Sequence, residues 1–536
     1  MPSKRILVVL AIGLFWSADT ARGQLPSPIS APTFLNSYAV GDASDDEPPE
    51  IATDGLGLWI AVWASNEDLG GTIGTDRDLL FARSTDNGAT WSAAVALNAN
   101  AGSDSGVDDD PRIATDGAGT WVVAWYSNED VGGVIHTDYD ILFIRSTDNG
   151  TTWTGVQVLN TNAVTDGATR DHGVQLVTDR QGTWVATWIT EDGPTSMSEE
   201  DLLVSRSEDN GISWSPPALL NLNGAADTGR DLRPHLATDR LGNWVAVWQS
   251  NEDLGGNLGT DHDIFFTRSA DNGATWTLPA ALNTNADTDM GGDSDPRVAT
   301  DGAGHWITVW RSSLDGSLGT DGDLVFALSV DNGATWSAPA PLNSNADGDN
   351  DHDIAIDPQR GWVVVWQSYE DLGGTTGTEG DIFVSLSTDQ GTTWSPPALF
   401  NTNASTDGQG YDAVPRIAAD GRGQFVGVWY SDNDLAGGIS MEYDILTARF
   451  GLPDCNTNFV ADGVDIVEGT SEDCDGNGVP DECQPDSDAN GTIDPCEPQC
   501  GVCAQGVLPA ALFTLSLTIG GRRRILRRNR SRRRRI

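Results

Sequence analysis

An eight-residue pattern, Ser-x-Asp-x-Gly-x-x-Trp, recurs six times and constrains the fold more than any other feature of the chain. Its copies begin 62, 61, 62, 60 and 58 residues apart, and they span residues 84–91, 146–153, 207–214, 269–276, 329–336 and 387–394. A fixed period of this size indicates a repeat architecture built from one small structural unit. Asp followed two residues later by Gly predicts a tight turn, because the carboxylate accepts backbone N–H groups and Gly tolerates a positive φ. We expect the Trp to pack each turn onto its own repeat.

Each turn pattern is preceded by three segments with the composition of β-strands and is followed by a fourth. In the second repeat the four segments are Pro111–Asp116, Trp121–Trp125, Asp140–Arg145 and Val156–Leu159. The second segment alternates with a period of two residues, which places its two Trp side chains on the same face of a strand. Four short antiparallel strands in each repeat are typical of a propeller blade. The sequence therefore predicts an all-β fold.

The second-strand segment occurs seven times, which predicts a seven-bladed β-propeller. Its copies begin at Trp59, Trp121, Trp184, Trp244, Trp306, Trp362 and Phe425. The seventh repeat ends after its third strand, at Phe450, whereas residues 31–38 align with the fourth-strand segment at residues 338–345. We therefore predict a propeller over residues 24–451, in which an N-terminal strand closes the last blade and covers its open edge. Every Trp other than Trp16 is expected in the blade core.

One position at the entrance to the first strand is polar in all seven repeats. Its occupants are Glu50, Arg112, Gln175, His235, Arg297, Asp353 and Arg416. Because the first strands of a propeller surround the central channel, we expect a ring of ligand-binding side chains at one channel mouth. The connections that follow strands two and four lie on the same face. They are rich in Asp, Asn and Gly, which suits Ca²⁺, and a solvated acidic rim is the alternative interpretation.

The turn pattern resembles the Asp box, or BNR repeat, of bacterial sialidases and their relatives. The resemblance implies a β-propeller in which the turn is structural and lies far from the active site. It also implies three arginines that hold a substrate carboxylate, for which Arg112, Arg297 and Arg416 are the candidates. A nucleophilic Tyr is implied as well, and Tyr411 is the candidate. The segment around Arg112 lacks the aromatic residue and the proline of the family's first arginine motif, and sialidases of this kind have six blades.

These departures favour binding over catalysis. We expect the protein to bind a glycan or a surface protein through its acidic loop face and channel mouth, with an exo-α-sialidase activity as the alternative. The formal net charge is −49, and subtracting the ten arginines of residues 522–536 leaves about −59 for the rest, which makes nucleic acid a poor partner. A monomer is expected.

The first 23 residues have the organisation of a secretory signal peptide. A positive region at Lys4 and Arg5 precedes an apolar stretch and then small residues at Ala21–Gly23, which suit a cleavage site. The sequence therefore predicts export, with the mature protein secreted or at the cell surface. All six cysteines lie between Cys455 and Cys503, which in an exported chain is typical of a locally disulfide-linked region.

Residues 452–498 contain three tandem copies of the ligand spacing found in calcium-binding loops. The candidate ligands are Asp454, Asn456, Asn458, Asp462, Asp465, Asp473, Asp475, Asn477, Asp481, Asp486, Asp488, Asn490, Asp494 and Glu497. Since helices do not fit between the second and third copies, the region resembles thrombospondin type 3 repeats. That resemblance implies calcium as a cofactor and cross-linking by Cys455, Cys474, Cys483 and Cys496. A disordered acidic linker is the alternative.

The C-terminal end has three parts. A Cys-x-x-Cys segment and an apolar stretch occupy residues 499–521, and an arginine-rich tail follows over residues 522–536. This arrangement resembles bacterial C-terminal sorting signals. The resemblance implies transient membrane anchoring followed by processing, since the apolar stretch Val507–Ile519 is too short for a permanent span. A nucleic-acid-binding tail is the alternative for the arginines alone, and export disfavours it.

Overall fold

The computed structural model describes part of the chain: residues 29–36, 44–191, 200–224, 229–256, 258–288, 291–313, 322–343, 348–357, 361–372, 374, 376–407, 410–433, 435, 439–451, 471–472, 474 and 481–484. The predicted signal peptide (residues 1–23), the predicted sorting segment (499–521) and the arginine-rich tail (522–536) lie outside the described residues. So do the candidate calcium ligands of residues 452–498 except Asp481, whose Oδ1 accepts the backbone N–H of Cys474 at 3.0 Å. The pairing of the cysteines stays a prediction. Among the described residues, no helix is long and apolar enough to cross a membrane.

The described residues form seven four-stranded antiparallel sheets, which confirms the predicted all-β, seven-bladed propeller. We number the blades 1 to 7 by their first strands. The first strands are β2 (Glu50–Thr53), β6 (Asp108–Thr115), β10 (Asp171–Thr178), β14 (Asp231–Thr238), β18 (Asp293–Thr300), β22 (Asp349–Asp357) and β26 (Asp412–Ala419). The second strands are β3 (Trp59–Ser65), β7 (Trp121–Ser127), β11 (Trp184–Thr190), β15 (Trp244–Ser250), β19 (Trp306–Ser312), β23 (Gly361–Ser368) and β27 (Gln424–Asn433).

The outer half of each blade consists of a third strand and a very short fourth strand. The third strands are β4 (Asp78–Ser84), β8 (Asp140–Ser146), β12 (Asp201–Ser207), β16 (Asp263–Ser269), β20 (Asp323–Ser329), β24 (Asp381–Ser387) and β28 (Ile439–Gly451). The fourth strands are β5 (Val95–Ala96), β9 (Gln157–Val158), β13 (Ala218–Leu219), β17 (Ala280–Ala281), β21 (Ala340–Pro341), β25 (Ala398–Leu399) and, for blade 7, β1 (Thr33–Phe34). The first strands contact one another in a closed ring.

Blade 7 takes its fourth strand from the N-terminal part of the chain. Strand β1 pairs antiparallel with β28, with Thr33 opposite Thr447 and Phe34 opposite Leu446. Backbone hydrogen bonds extend this pairing on both sides, since Ser30 N donates to Arg449 O and Leu35 N donates to Ile445 O, each at 2.8 Å. Residues at the two ends of the propeller sequence therefore share one sheet.

The second strands form the core of the blades. Strands β3, β11 and β15 are buried along their whole length, because each blade packs against a neighbour on both of its faces. Trp59 and Trp63 are 0% exposed, and most of the equivalent Trp side chains are likewise almost fully buried. The expectation that these tryptophans belong to the blade core is confirmed.

The Asp-box turns have the predicted hydrogen bonds but pack differently from our expectation. In blade 2, Asp148 Oδ1 accepts the backbone N–H of Thr152 at 2.8 Å, and Gly150 has a φ of 67°. The Trp of the turn, however, packs on the preceding blade: Trp153 lies edge-on to Phe81 of β4, with ring centroids 5.9 Å apart. The expectation that each Trp packs its turn onto its own repeat was wrong, because the faces of adjacent blades are stacked closely enough for the turn to reach across.

A buried asparagine links the blades on the opposite face of the propeller. Asn98 follows the fourth strand of blade 1, and its amide donates to Asp78 of β4 at 3.3 Å and to Asp108 of β6 at 2.8 Å. Asn36 makes the same bridge between blades 7 and 1, donating to Asp444 and to Asp46 at 2.7 Å each. Equivalent bridges are made by Asn160, Asn221, Asn283 and Asn401. The seam between blades 7 and 1, where the two ends of the propeller sequence meet, therefore has the same Asp–Asn–Asp bridge as the continuous junctions.

Candidate functional site

The seven polar residues at the first-strand entrance occupy one structural position. Each lies opposite a residue of the second strand. That partner is always the fourth residue of the recurring segment that begins with Trp or Phe. The pairs are Glu50 with Val62, Arg112 with Ala124, Gln175 with Thr187, His235 with Val247, Arg297 with Val309, Asp353 with Val365 and Arg416 with Val428. The sequence register used to choose these residues is therefore the register of the sheets.

A β-bulge precedes this position in blades 2 to 7. The ladder between the first and second strands is interrupted there, for example between Asp109 and Arg112. The residue two places before the ring position has a positive φ in each case: Asp110, Gly173, Arg233, Asp295, Asp351 and Val414. A bulge re-aims the following side chain, and a positive φ is costly for β-branched Val414 at 48°. The ring side chains are thus positioned by a repeated distortion that the sequence pattern did not reveal.

Four of the seven ring residues line one cavity of 490 Å³ at this channel mouth: Arg112, Gln175, Arg297 and Arg416. The bulges contribute more polar side chains to its wall, namely Asp110, Arg233, Asp295 and Asp351, and His172 is a further lining residue. These five residues were not among the site residues predicted from the sequence. Four arginines and three aspartates therefore face one small space, which presents many hydrogen-bond donors and acceptors together.

Three ring residues are engaged by other parts of the protein. His235 Nδ1 accepts the backbone N–H of Val298 in the next first strand at 3.1 Å. Asp353 Oδ2 accepts that of Ile417 at 2.9 Å. Glu50 pairs with arginines on both sides of it. These three residues brace the ring and do not line the cavity.

Glu50 brings two of the candidate arginines together. Its Oε1 accepts Arg416 Nε at 2.8 Å and lies 3.3 Å from Arg112 Nη1, so blades 7 and 2 meet across blade 1. Arg112 also pairs with Asp110 at 2.8 Å. Burial acts to lower the pKa of Arg416, but the Glu50 and Asp353 carboxylates outweigh it and raise the pKa. The Arg416 guanidinium therefore stays charged, and Glu50 holds both guanidinium groups in fixed orientations.

Each of the three candidate arginines also bonds to the chain just before it. Nη1 donates to the carbonyl oxygen of the preceding proline, at 3.0 Å in Arg112, 3.3 Å in Arg297 and 3.0 Å in Arg416. A guanidinium has five N–H donors, so several remain for a ligand. Burial and then the nearby Arg416 lower the pKa of Arg297.

Histidines near the mouth do not add positive charge at neutral pH. Burial, and then the Arg297 guanidinium, lower the pKa of His352 to about 4. The same two causes hold the pKa of His235 well below its usual value. The positive charge at the mouth therefore comes from the arginines alone and does not titrate in the physiological range.

Tyr411, the candidate nucleophile, does not line the cavity. Its backbone N–H donates to Asp432 Oδ1 at 2.6 Å, and its hydroxyl lies in a hydrogen bond with Tyr369, which together with burial raises the pKa of Tyr369 to about 12. Within the part of the chain that the structure describes, no tyrosine lines the cavity. The arginines and the tyrosine that the sialidase resemblance paired therefore do not line one cavity.

A second aromatic group lies beside the cavity and was not found from the sequence. Tyr126 contacts Tyr139 and cavity-lining His172 edge-on, with ring centroids 5.4 and 6.3 Å apart. His172 is also grouped with Glu191 and Glu200 closely enough to hold a metal ion. The signal for Tyr126 was present in its sequence position, just after the second Trp of strand β7, where among the other blades only blade 7 carries a Tyr, Tyr430.

The cavity at the opposite mouth of the channel has a smaller volume. It measures 200 Å³ and is lined by Arg180 and Arg240 together with acidic residues of the first-strand turns. Arg180 Nη2 donates to the backbone oxygen of Thr53 at 3.3 Å. The larger cavity volume favours the mouth lined by Arg112, Arg297 and Arg416 as the binding site.

Several solved structures are similar to this chain at low sequence identity. The chain is similar to the solved structure of a protein of unknown function from Dyadobacter fermentans, at 16% identity, covering 65% of this chain and 95% of that one, with a TM-score of 0.42. It is also similar to the Hadza microbial sialidase Hz136, at 16% identity, 71% and 74% coverage and a TM-score of 0.42. A polysaccharide lyase, PL25 ulvan lyase, matches at 10% identity, 78% and 95% coverage and a TM-score of 0.48.

No curated protein matches the chain. Residues 51–232 and 176–404 match the BNR repeat-like domain, and together they span more than half of the 536 residues. The match begins in the first strand of blade 1 and ends in blade 6, so it follows the repeats on which the propeller is built. The chain therefore belongs to the BNR repeat-like domain family.

Proposed function

We propose that this protein binds a carbohydrate at the loop-face mouth of its channel, and that the ligand carries a carboxylate. The observation that carries the proposal is the convergence of Arg112, Arg297 and Arg416 on one cavity with an excess of one arginine over the aspartates that line it. Planar guanidinium groups recognise carboxylates through two parallel hydrogen bonds. A uronic or sialic acid unit would supply that group.

The cavity also suits the rest of a sugar. Its volume of 490 Å³ lies within the range of small-ligand sites, and its aspartates can accept hydrogen bonds from hydroxyl groups. Tyr126 is half-buried beside it and offers an apolar ring surface to a sugar that extends beyond the cavity. The competing class of ligand is a protein partner that binds the acidic loop face. A protein partner is usually bound by an open surface patch, so a small cavity suits it less well than it suits a sugar.

An exo-α-sialidase is the alternative function, and it would use the same arginines. The position of Tyr411 disfavours it, because a nucleophile must lie within reach of the reacting atom. Binding therefore remains the preferred function, and a hydrolase would need a different nucleophile.

The setting of this activity is part of the proposal. We infer export by residues 1–23, a secreted or cell-surface location, a monomeric propeller, calcium binding by a disulfide-linked segment at residues 452–498, and transient membrane anchoring by residues 499–521. Intact-mass analysis of surface material tests the processing. Retention of residues 522–536 in most molecules would count against a sorting signal.

The binding proposal is tested with purified protein on an array of acidic and neutral glycans, followed by calorimetric titration of the best ligand. Arg112→Lys and Arg416→Lys keep the charge but lose the guanidinium fork, and we expect each to weaken binding about tenfold or more, equivalent to about 1.4 kcal/mol. Arg180→Lys, at the opposite mouth, is the matched control and should bind like the wild type.

Equal binding by all four proteins would remove the site from the loop-face mouth. Absence of any glycan binding would favour the protein-partner alternative. A fluorogenic sialoside assay completes the test, since turnover that Arg416→Lys abolishes would establish the hydrolase instead.

A further inference from the structure

Three groups of carboxylates lie at blade junctions on the loop face, away from the channel mouth. The first consists of Asp76, Asp78 and Asp104, each of which offers an oxygen atom within 4.8 Å of the others. The second consists of Asp138, Asp140 and Asp166, and the third of Asp381, Asp407 and Asp412. We call them the junction clusters.

Two sequence elements, repeated from blade to blade, supply the first two clusters and also Asp381 and Asp407 of the third, in which Asp412 comes from the first strand of blade 7. One is an acidic residue two places before the Asp that opens the third strand, as in Asp76 and Asp78. The other follows the fourth strand and reads Asn-x-Asn-x-x-x-Asp, as in Asn98, Asn100 and Asp104. The first Asn of this element makes the bridge between blades described above. The second Asn orients the last Asp, because the amide of Asn100 donates to Asp104 Oδ2.

Four oxygen atoms of the first cluster and of Asn100, which orients it, are buried and accept no hydrogen bond. They are Oδ2 of Asp76, Oδ2 of Asp78, Oδ1 of Asn100 and Oδ1 of Asp104. Asp78 is only 1% exposed. Its other oxygen is used by Asn98, so Oδ2 alone is left without a hydrogen-bond donor.

The same feature recurs at the other two clusters. In the second, Oδ2 of Asp138 and of Asp140 and Oδ1 of Asn162 are buried without a hydrogen-bond donor, and Asp140 is 1% exposed. In the third, Glu379 Oε1, Asn403 Oδ1 and Asp407 Oδ1 share the property, and Asp407 is 2% exposed. One isolated cluster could be a local defect, but the same unsatisfied atoms at equivalent positions indicate a common purpose.

No side-chain cation compensates the first cluster. Among the described residues, no ion pair includes Asp76, Asp78 or Asp104. Arg77, which stands between two of them in sequence, pairs instead with Glu47 at 2.7 Å and with Asp109 at 2.8 Å. A buried carboxylate without a compensating cation is costly.

We propose that each junction cluster binds one Ca²⁺ ion. Three carboxylates and an asparagine carbonyl form a hard, all-oxygen ligand set of charge −3, and backbone carbonyls or waters can complete the six to eight ligands that Ca²⁺ takes. Mg²⁺ fits less well, because it requires a compact octahedron and keeps several of its waters. In the first cluster the ion would lie beside the bridge between blades, since the ligand Asp78 bonds through Asn98 to Asp108 of blade 2.

Terbium luminescence can separate these sites from the predicted calcium segment at residues 452–498. Tb³⁺ replaces Ca²⁺ and emits when a nearby Trp is excited. Residues 452–536 contain neither Trp nor Tyr, whereas Trp125 donates to Asp108 at the first junction and Trp429 to Asp412 at the third, each at 2.9 Å. Trp-sensitised emission therefore reports the propeller sites in the full-length protein.

The test compares the wild type with the triple variant Asp104→Asn/Asp166→Asn/Asp407→Asn and with the single variant Asp104→Asn. We expect sensitised emission from the wild type, displaced by Ca²⁺ at much lower concentration than by Mg²⁺. The single variant should lose part of the emission and the triple variant nearly all of it. Glu208→Gln, an exposed acid outside the clusters with a 73% exposed side chain, is the matched charge control and should behave as the wild type.

Thermal melting guards against a variant that simply misfolds. Without Ca²⁺ the triple variant should melt at or above the wild-type temperature, because it removes charges that repel. With Ca²⁺ the wild type should melt higher than the variant. No sensitised emission from the wild type, emission retained in the triple variant, or an equal Ca²⁺ stabilisation of both proteins would each overturn the proposal.

Discussion

Asp140 and Asp148 lie close together in the sequence of blade 2, yet their surroundings shift their pKa values in opposite directions. Burial raises the pKa of Asp140, at the loop-face end of β8, to about 8. Hydrogen bonds from Thr152 lower the pKa of Asp148, in the Asp box, to about 2. The Asp-box carboxylate is satisfied by donors of its own turn. The loop-face carboxylate is buried where a cation would stabilise it.

The same contrast holds between the two faces as a whole. In all six Asp boxes the backbone N–H of the Gly donates to the Ser hydroxyl at 2.9 or 3.0 Å. The same hydrogen bond therefore constrains the residues of every copy of the turn. The ring position at the loop-face mouth holds Arg three times and four other residue types once each. A turn defined by local hydrogen bonds requires particular residues, whereas a side chain aimed by a bulge can vary. Variation on this face is what allows a ligand to be selected.

Truncation at the N-terminus is expected to have the largest effect on stability. A protein starting at residue 37 lacks β1 and the Asn36 amide that bridges Asp46 and Asp444, so the loop-face seam between blades 7 and 1 is broken. We expect its melting temperature to fall by roughly 10 °C or more and the exposed edge of β28 to promote aggregation. Calorimetry and light scattering measure both effects.

A shorter truncation that starts at residue 29 serves as the control, because it retains β1 and Asn36. It should melt like the mature wild type. If the two truncated proteins melt at the same temperature, β1 does not hold the ring closed.

An intermediate effect is expected where the Asp box touches the preceding blade. Gly150 and Gly132 have nearly equal φ values of 67° and 70°, but a Cβ at Gly150 would overlap Ile60 Cδ1, whereas one at Gly132 would meet nothing within 4 Å. Gly132→Ala should cost about 1–2 kcal/mol for the left-handed backbone alone. Gly150→Ala should cost a further 1–3 kcal/mol or so for overpacking. Denaturant unfolding of both variants measures the difference, and equal costs would mean that the blades are not tightly stacked there.

The smallest effect is expected from the Asp-box carboxylate itself. Its folded pKa of about 2 lies below the usual value of 3.8, so the stability that it contributes is present above pH 4 and is lost as the pH falls toward 2. Asp148→Asn should therefore melt slightly below the wild type at pH 5, and the two curves should converge near pH 2. Melting scans across this range test the sign, and a constant difference would show that the charge of Asp148 is irrelevant.

Much of the fold could be predicted from the sequence because the strand and turn pattern of one blade occurs in every repeat. The register of Trp59 and its equivalents identified the seven first-strand positions that the sheets place in one ring. Contacts between blades were not predictable in this way, since they depend on how neighbouring units stack. The packing of Trp153 on Phe81 is one example, and the sharing of Glu50 between Arg112 and Arg416 is another, because it requires blades 7 and 2 to flank blade 1.

The bulges were missed for a different reason. Asp110, Gly173, Arg233, Asp295, Asp351 and Val414 share a positive φ but no common side chain, so no residue pattern marks them. The separation of Tyr411 from the arginines also depends on the path of a connection outside the strands. Local sequence specifies a blade, whereas the candidate site is formed by the positions of several blades relative to one another.

The asparagine seam has a consequence for the order in which the protein is made. Asn36 and Asp444 are 408 residues apart, so the first strand to be synthesised has no partner until the last blade exists. Contacts of such long sequence separation are associated with slow folding, and the unpaired segment would be exposed throughout. Because continuous junctions carry the same Asp–Asn–Asp bridge, a circular permutant opened at another junction, with residues 29 and 451 joined by a linker, should form the same ring. A different pair of blades would then be first and last in the sequence, so the termini could be placed at any junction that has the bridge.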